Sequence, residues 1–114
     1  PILDNMTMII DHRTYDIKPG CLPKFLELYG THGFPVQLKH LGQPFGYFTV
    51  TDIGPLNQVI HMWKYESLAD REAKRGALQA DPAWQAYLAK SAEAGYVARQ
   101  ENKILKAAPF FALK

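Results

Sequence analysis

The stretch GYFTVTDIGPLNQVIHMWKY, residues 46–65, predicts a β-hairpin and decides the fold. Its two halves, 46–52 and 57–65, are rich in the aromatic and β-branched side chains that favour strands. The pair Gly54-Pro55 lies between them, and such a pair marks a turn. We therefore expect two antiparallel strands at these residues, joined by a short connection.

Two further strands are predicted towards the ends of the chain. Residues 6–17 are rich in Ile, Thr, Met and Tyr and contain no Gly or Pro, and Pro19-Gly20 ends the strand that they predict. Residues 97–105 are expected to form the last strand. Between this strand and the hairpin, apolar residues recur at the spacing of one helix face, namely Leu22, Phe25, Leu26 and Tyr29. We expect this helix to kink or break at Pro35.

Two helices are predicted between the hairpin and the last strand. Ser67 and Asp70 have the spacing of a capping box, which begins a helix. Asp81 and Pro82 fit the N-cap and the first position of a second helix. The whole order is therefore β-α-β-β-α-α-β.

This order predicts an α+β fold in one domain, residues 1–114. Merging the two adjacent helices gives the ferredoxin-like β-α-β-β-α-β unit, whose four-stranded sheet is antiparallel. Helices cover one face of such a sheet and leave the other bare. We expect the strand order 4-1-3-2, with the first and third strands at the centre.

The side chains expected on the bare face of the third strand predict that the chain pairs with a second copy of itself. We expect Ile60 and Met62 to lie beneath the helices, which leaves His61, Trp63 and Tyr65 on the bare face. Such an aromatic face is unusual on a small monomer exposed to water. Two copies packed sheet to sheet would cover it, so we expect a homodimer in the form of a dimeric α/β barrel.

Composition and charge exclude several classes of protein. The net charge is +2, and the basic residues are scattered, so we expect no nucleic-acid partner. No apolar run approaches the ~18 residues of a membrane span. The chain has one cysteine, Cys21, and no His or Cys pair at zinc-site spacing. We expect a cytoplasmic protein without a metal or a cofactor.

Strand alternation brings a candidate ligand site together. Arg13 and Tyr15 share one face of the first strand, and His61 and Trp63 share one face of its neighbour, with Tyr47 near the rim. An arginine binds carboxylate or phosphate oxygens, and a histidine suits proton transfer near neutral pH. The aromatic residues supply apolar walls. We predict a pocket for a small, partly apolar anion; the sequence assigns no catalytic residue and no metal ligand.

Each of these residues also has a structural interpretation. Arg13 would then only pair with Asp11 or Glu101, His61 would be a satisfied interior histidine, and Trp63 would belong to a core or dimer interface. A pair of arginines one helical turn apart, Arg71 and Arg75, is expected to form a solvated helix face.

The chain resembles the NIPSNAP family, within the dimeric α/β-barrel superfamily. The residues that carry the resemblance run from about 11 to 105. They are Arg13-Thr14-Tyr15, Lys18-Pro19-Gly20, Phe25, Tyr29, Gly46-Tyr47-Phe48, Gly54-Pro55-Leu56-Asn57-Gln58, His61-Met62-Trp63-Lys64-Tyr65, Leu68-Ala69-Asp70-Arg71, Asp81-Pro82 and Trp84. The resemblance implies a ferredoxin-like protomer and a homodimer. Related superfamily members include cofactor-free oxygenases, haem-handling enzymes and isomerases.

Two functions from different classes follow. The first is a binding or structural dimer that holds a small molecule between sheet and helices. The alternative is a cofactor-independent enzyme of the monooxygenase or isomerase type that uses His61 and Arg13. The sequence assigns no carboxylate to orient His61, so the first hypothesis is favoured.

Overall fold

The structure, a computed structural model, describes residues 7–113. Strands and helices follow one another along the chain almost in the predicted order. They are β1 (Ile9–Ile17), α1 (Leu22–Leu28), a π-helical segment (Tyr29–Gly33), α2 (Phe34–Leu41), β2 (Gly46–Val50), β3 (Gln58–Tyr65), α3 (Leu68–Ala80), α4 (Pro82–Ala94) and β4 (Val97–Leu105). The predicted start of the first strand, residue 6, lies outside the described residues.

The sheet has the strand order β2-β3-β1-β4, and every neighbouring pair is antiparallel. This confirms the α+β ferredoxin-like fold. The hairpin forms as predicted, although β2 ends at Val50 rather than at residue 52. The connection closes where the Asn57 N–H donates to the Val50 carbonyl at 3.0 Å, with Asn57 in the left-handed region at φ 67°.

The aromatic face of β3 lies beneath the helices, so the predicted assignment of the two faces was wrong. Trp63 and Tyr65 are each 1% exposed and belong to the core with helical residues such as Phe25. Ile60 and Met62 lie on the opposite face and are half-buried. Strand alternation separates two faces but does not say which one is covered. The large rings bury more apolar area than Ile or Met, and that gain decides the orientation.

The helix interruption precedes Pro35 instead of lying at it. Tyr29–Gly33 is π-helical, and the Phe34 N–H donates to the Tyr29 carbonyl, five residues back. A proline ring clashes with the carbonyl four residues before it in an α-helix, and the wider π turn relieves that clash. Gly33 is needed here because a Cβ atom would lie 2.9 Å from the Tyr29 ring.

Both predicted helix starts after the hairpin are confirmed. The Ser67 hydroxyl accepts from the Asp70 N–H at 3.1 Å at the start of α3. The Asp81 carboxylate accepts from the Ala83 N–H at 2.9 Å at the start of α4. Each cap satisfies a backbone donor that the first turn leaves free. Within residues 7–113, no helix combines the length and the apolar character that crossing a membrane requires.

Candidate functional site

A row of four polar side chains crosses the whole sheet beneath the helical layer, with one residue from each strand. Tyr47 lies opposite His61, His61 opposite Arg13, and Arg13 opposite Asn102. This polar row, Tyr47-His61-Arg13-Asn102, exists because the strand register aligns one face of all four strands. Arg13 on β1 and His61 on β3 lie side by side at the centre of this row.

The five residues predicted for the site lie together around this polar row. The Arg13 Nη1 donates to the Tyr15 hydroxyl at 3.3 Å, and the Tyr15 and His61 rings are 4.8 Å apart. The Tyr47 ring stacks on His61 at 4.6 Å, and the Trp63 indole donates to His61. They meet on the helix-covered face rather than on the bare face that was predicted. Their role in binding a ligand stays a prediction.

A buried carboxylate, Asp11, anchors the positive charge of the site. Asp11 is fully buried, and its oxygens accept from the Nε of Arg13 at 3.3 Å, the Nε of Arg71 at 3.0 Å and the Asn102 amide at 3.4 Å. Burial raises the pKa of Asp11, but the two guanidinium groups and the hydrogen bonds outweigh it and hold that pKa below its usual value. The expected pairing of Arg13 with Asp11 is therefore present.

Positive charge exceeds negative charge around Asp11. Arg75 is half-buried one helical turn after Arg71, beside Tyr65, and among residues 7–113 it forms no ion pair with a carboxylate. Burial and the neighbouring Arg13 lower the pKa of Arg75. Arg71 and Arg75 thus point to the sheet, and the predicted solvated helix face was wrong. Three guanidinium groups therefore lie around one buried carboxylate, and two of them, those of Arg13 and Arg71, contact it.

A pocket of about 230 Å³ opens beside this charge, between β1 and the edge strand β4. Its lining includes two members of the polar row, Arg13 and Asn102, together with Tyr15. Glu101 also lines it, but its carboxylate is paired with Arg99 at 3.0 Å. The edge strand is exposed along this face, so the pocket is accessible from solvent.

A larger depression of about 400 Å³ lies at the end of α4 and is a weaker candidate. The charged side chain in its lining, Arg99, is exposed and already paired with Glu101. Its lining also has no aromatic side chain, whereas the pocket beside Arg13 combines a half-buried arginine with Tyr15. The pocket beside Arg13 is therefore the candidate site.

His61 is held in one neutral form by Trp63. The Trp63 indole N–H, which can only donate, lies 2.8 Å from His61 Nδ1, so Nδ1 must accept and the imidazole proton sits on Nε2. Burial, together with the Arg13 guanidinium, lowers the pKa of His61 to about 3. His61 is therefore a neutral donor at physiological pH. Among the described residues, its buried Nε2 has no hydrogen-bond partner.

Aromatic rings form a continuous apolar wall next to His61. Phe25 stacks on Tyr29 at 5.9 Å, Tyr29 on Tyr47 at 5.2 Å, and Tyr47 on His61. The Tyr29 hydroxyl donates to the buried Gln37 side chain, which fixes α2 over the stack. Between residues 7 and 113, no cluster of three or more His, Cys, Asp or Glu side chains could hold a metal ion.

The fold and the site together define a ferredoxin-like domain whose sheet carries a pocket lined by Arg13 and Tyr15. The NIPSNAP family model matches residues 10–112 of the chain. The chain therefore belongs to the NIPSNAP family, as the sequence motifs indicated.

Two relatives illustrate the similarity. The chain is 34% identical to a NipSnap homolog of Dictyostelium discoideum over 87 residues, which are 76% of this chain but 38% of the relative. It thus spans well under half the length of that protein. An uncharacterised NIPSNAP-like domain protein from Burkholderia xenovorans is 41% identical and superimposes with a TM-score of 0.83, covering 95% of this chain and 91% of that one.

A more distant structure shares the fold alone. It is a putative antibiotic biosynthesis monooxygenase from Nitrosomonas europaea, which superimposes with a TM-score of 0.63 at 14% identity. The superposition covers 89% of this chain and 90% of that one. At this identity the likeness carries no information about the reaction.

Proposed function

We propose that this NIPSNAP protein forms a homodimer and binds a small, partly apolar anion between its sheet and its helices. The observation that carries the proposal is the excess of guanidinium groups over carboxylates around Asp11, beside the pocket that Arg13 lines. Asp11 neutralises one of the three arginines, which leaves a net positive charge in a half-buried place. Buried charges are normally paired, so an anionic ligand would complete the balance.

The pocket also suits the apolar part of such a molecule. Tyr15 lines the pocket and contacts the rings of Phe25 and His61. Its volume of about 230 Å³ is below the ~300–1,000 Å³ of drug-sized sites, which favours a small ligand. Carboxylate or phosphate oxygens would bind the arginines, and an aromatic or aliphatic group would lie against the rings.

Arg75 provides the test of this binding proposal because it makes no ion pair that its removal would break. We expect 3-phenylpropionate to bind the wild-type chain and Arg75→Gln to weaken that binding about tenfold, the effect of losing one charge-assisted hydrogen bond. Nuclear magnetic resonance titration would measure the affinity and locate the shifted amides near Arg13 and Asn102.

The matched control is Lys90→Gln, which removes an exposed cation from α4, away from the pocket lining, and should leave the affinity unchanged. The uncharged 3-phenylpropanamide should bind at least tenfold more weakly than the acid to the wild-type chain. Equal binding of acid and amide would show that the site does not select an anion.

The homodimer would cover the sheet face that the helices leave bare. This face carries Ile60 and Met62 on β3, with Phe48 on β2 at 56% exposed and Leu105 on β4 at 39% exposed. Gly46 has no side chain, and that absence lets Phe48 and Met62 approach each other across the face. Exposed apolar patches of this kind mark interfaces.

Sedimentation should report the dimer directly. At micromolar concentration we expect about twice the chain mass of 12.9 kDa, with an isologous interface above ~1,000 Å² in total. Phe48→Lys should produce monomers, because a charge on the covered face opposes burial. The control, Leu88→Lys, alters a 41% exposed leucine on α4 and should leave the dimer intact. A wild-type monomer would overturn this part of the proposal.

The alternative function is a cofactor-independent enzyme of the monooxygenase or isomerase type using His61 and Arg13. The free Nε2 of His61 favours it, since that donor could stabilise a developing oxyanion. The low pKa of His61 opposes a role as base, and Asp11 is already engaged by two arginines. Binding is therefore the function that the geometry supports best. The cytoplasmic location stays a prediction.

A further inference from the structure

We propose that the anion bound in the pocket is a 2-oxo carboxylate, whose carboxylate binds the arginines and whose keto oxygen accepts a hydrogen bond from His61 Nε2. This inference rests on the proposed function and names its ligand class.

The contact with Trp63 determines which nitrogen of His61 is the free donor. Trp63 donates to Nδ1 at 2.8 Å, which directs the imidazole proton to Nε2, and His61 is 1% exposed. Among residues 7–113, Nε2 has no hydrogen-bond partner. An unpaired buried N–H is unfavourable, and an oxygen acceptor brought by a ligand would remove that penalty.

The position of this donor relative to the charge defines the distance between two ligand groups. His61 and Arg13 are direct neighbours in the register of β3 and β1. Both side chains also contact Tyr15, whose hydroxyl lies 3.3 Å from the Arg13 guanidinium and whose ring lies 4.8 Å from the His61 ring. The two groups of the ligand must therefore be close together on its skeleton. A carboxylate with an oxygen on the adjacent carbon meets this requirement, whereas a long molecule with polar groups at both ends does not.

The chemistry of the donor selects a neutral oxygen. A second carboxylate of the ligand, placed at His61, would lie near the buried Asp11 carboxylate. The neutral imidazole would supply no positive charge to balance it. A plain carboxylic acid would leave Nε2 unpaired. An amine would be repelled by Arg13, Arg71 and Arg75. The keto oxygen of a 2-oxo acid is a neutral acceptor and has none of these disadvantages.

Tyr15 separates the open pocket from His61. It lines the pocket, and its ring lies 4.8 Å from the His61 ring and nearly perpendicular to it at 84°. The ligand therefore reaches Nε2 when the Tyr15 side chain turns towards solvent, from a position in which its hydroxyl accepts a bond from Arg13. The half-buried state of Tyr15 is consistent with this movement.

The test compares two acids that differ in one keto group, phenylpyruvate and 3-phenylpropionate. We expect the wild-type chain to bind phenylpyruvate at least about tenfold more tightly, the discrimination that one buried hydrogen bond supplies. In His61→Phe, which keeps an aromatic ring against Tyr47, the two acids should bind equally and about as tightly as 3-phenylpropionate binds the wild type.

A second measurement uses the wild-type chain alone and does not depend on the folding of that variant. In ¹⁵N-labelled protein, the His61 ring nitrogens should show the Nε2–H form, and the Nε2 proton should shift downfield with phenylpyruvate but not with 3-phenylpropionate. Equal affinity of the wild type for both acids would overturn the 2-oxo assignment and leave the anion site standing. Failure of both acids to bind at millimolar concentration would overturn the anion site as well.

Discussion

Asp11→Ala is expected to lower the free energy of unfolding by about 3–5 kcal/mol, since removing one partner of a buried ion pair leaves the other charge uncompensated. Asp11 is fully buried and accepts from Arg13, Arg71 and Asn102. Its removal leaves three guanidinium groups without a carboxylate among them. Chemical denaturation of the variant and the wild type, at neutral pH and the same chain concentration, would measure the difference.

Asp16→Ala is the matched control on the same strand. The Asp16 carboxylate is 37% exposed and lies 3.8 Å from the exposed Arg99 guanidinium. Exposed pairs contribute about 0–1 kcal/mol, so this variant should differ little from the wild type. If the two variants are equally stable, Arg13 and Arg71 reach solvent when Asp11 is absent, and the buried cluster contributes little to the fold.

Stability should fall as the pH is lowered from 8 to 5, and His61 should account for roughly 2 kcal/mol of that loss. The pKa of His61 is about 3 in the folded chain and 6.5 in the unfolded one. Between these values the unfolded chain binds more protons, so stability is fully present above pH 6.5 and declines as the pH falls. Denaturation curves at several pH values would show the slope.

His61→Gln isolates this contribution because it removes the titrating group. Whatever its absolute stability, the variant should lose roughly 2 kcal/mol less than the wild type between pH 8 and pH 5. His32→Gln alters an exposed histidine in the π-helical segment and should keep the wild-type slope. Parallel slopes in all three proteins would mean that the folded chain protonates His61 as readily as the unfolded chain does.

The backbone was largely predictable from the sequence because local signals agree with the tertiary structure. Gly54-Pro55 marks the turn of the hairpin, and the caps at Ser67 and Asp81 begin two helices where expected. The covered face of the sheet was not predictable from the same signals. By residue type, Ile60 and Met62 suit a core as well as Trp63 and Tyr65 do. The two rings lie beneath the helices because they bury the larger apolar area there.

The site was predictable in part for the same reason. Strand alternation correctly grouped Arg13 with His61, because both lie on adjacent central strands. Arg71 was missed because it lies 60 residues from Asp11 and reaches it from a helix. An aspartate in the middle of a strand, on the same face as Arg13, is the sequence signal that could have indicated a buried partner. The neutral form of His61 depends on a side-chain contact that no local pattern encodes.

The π-helical segment sets the rotational phase of the helix that follows it. If the same residues, Tyr29–Gly33, formed ordinary α-helical hydrogen bonds, α2 would be turned by about 100°, the rotation that one residue makes in an α-helix. The buried face of α2, which holds Gln37 and Leu41, would then rotate away from Tyr29. Substitutions that favour regular α-helical hydrogen bonding in this segment should therefore move α2 out of its packed position.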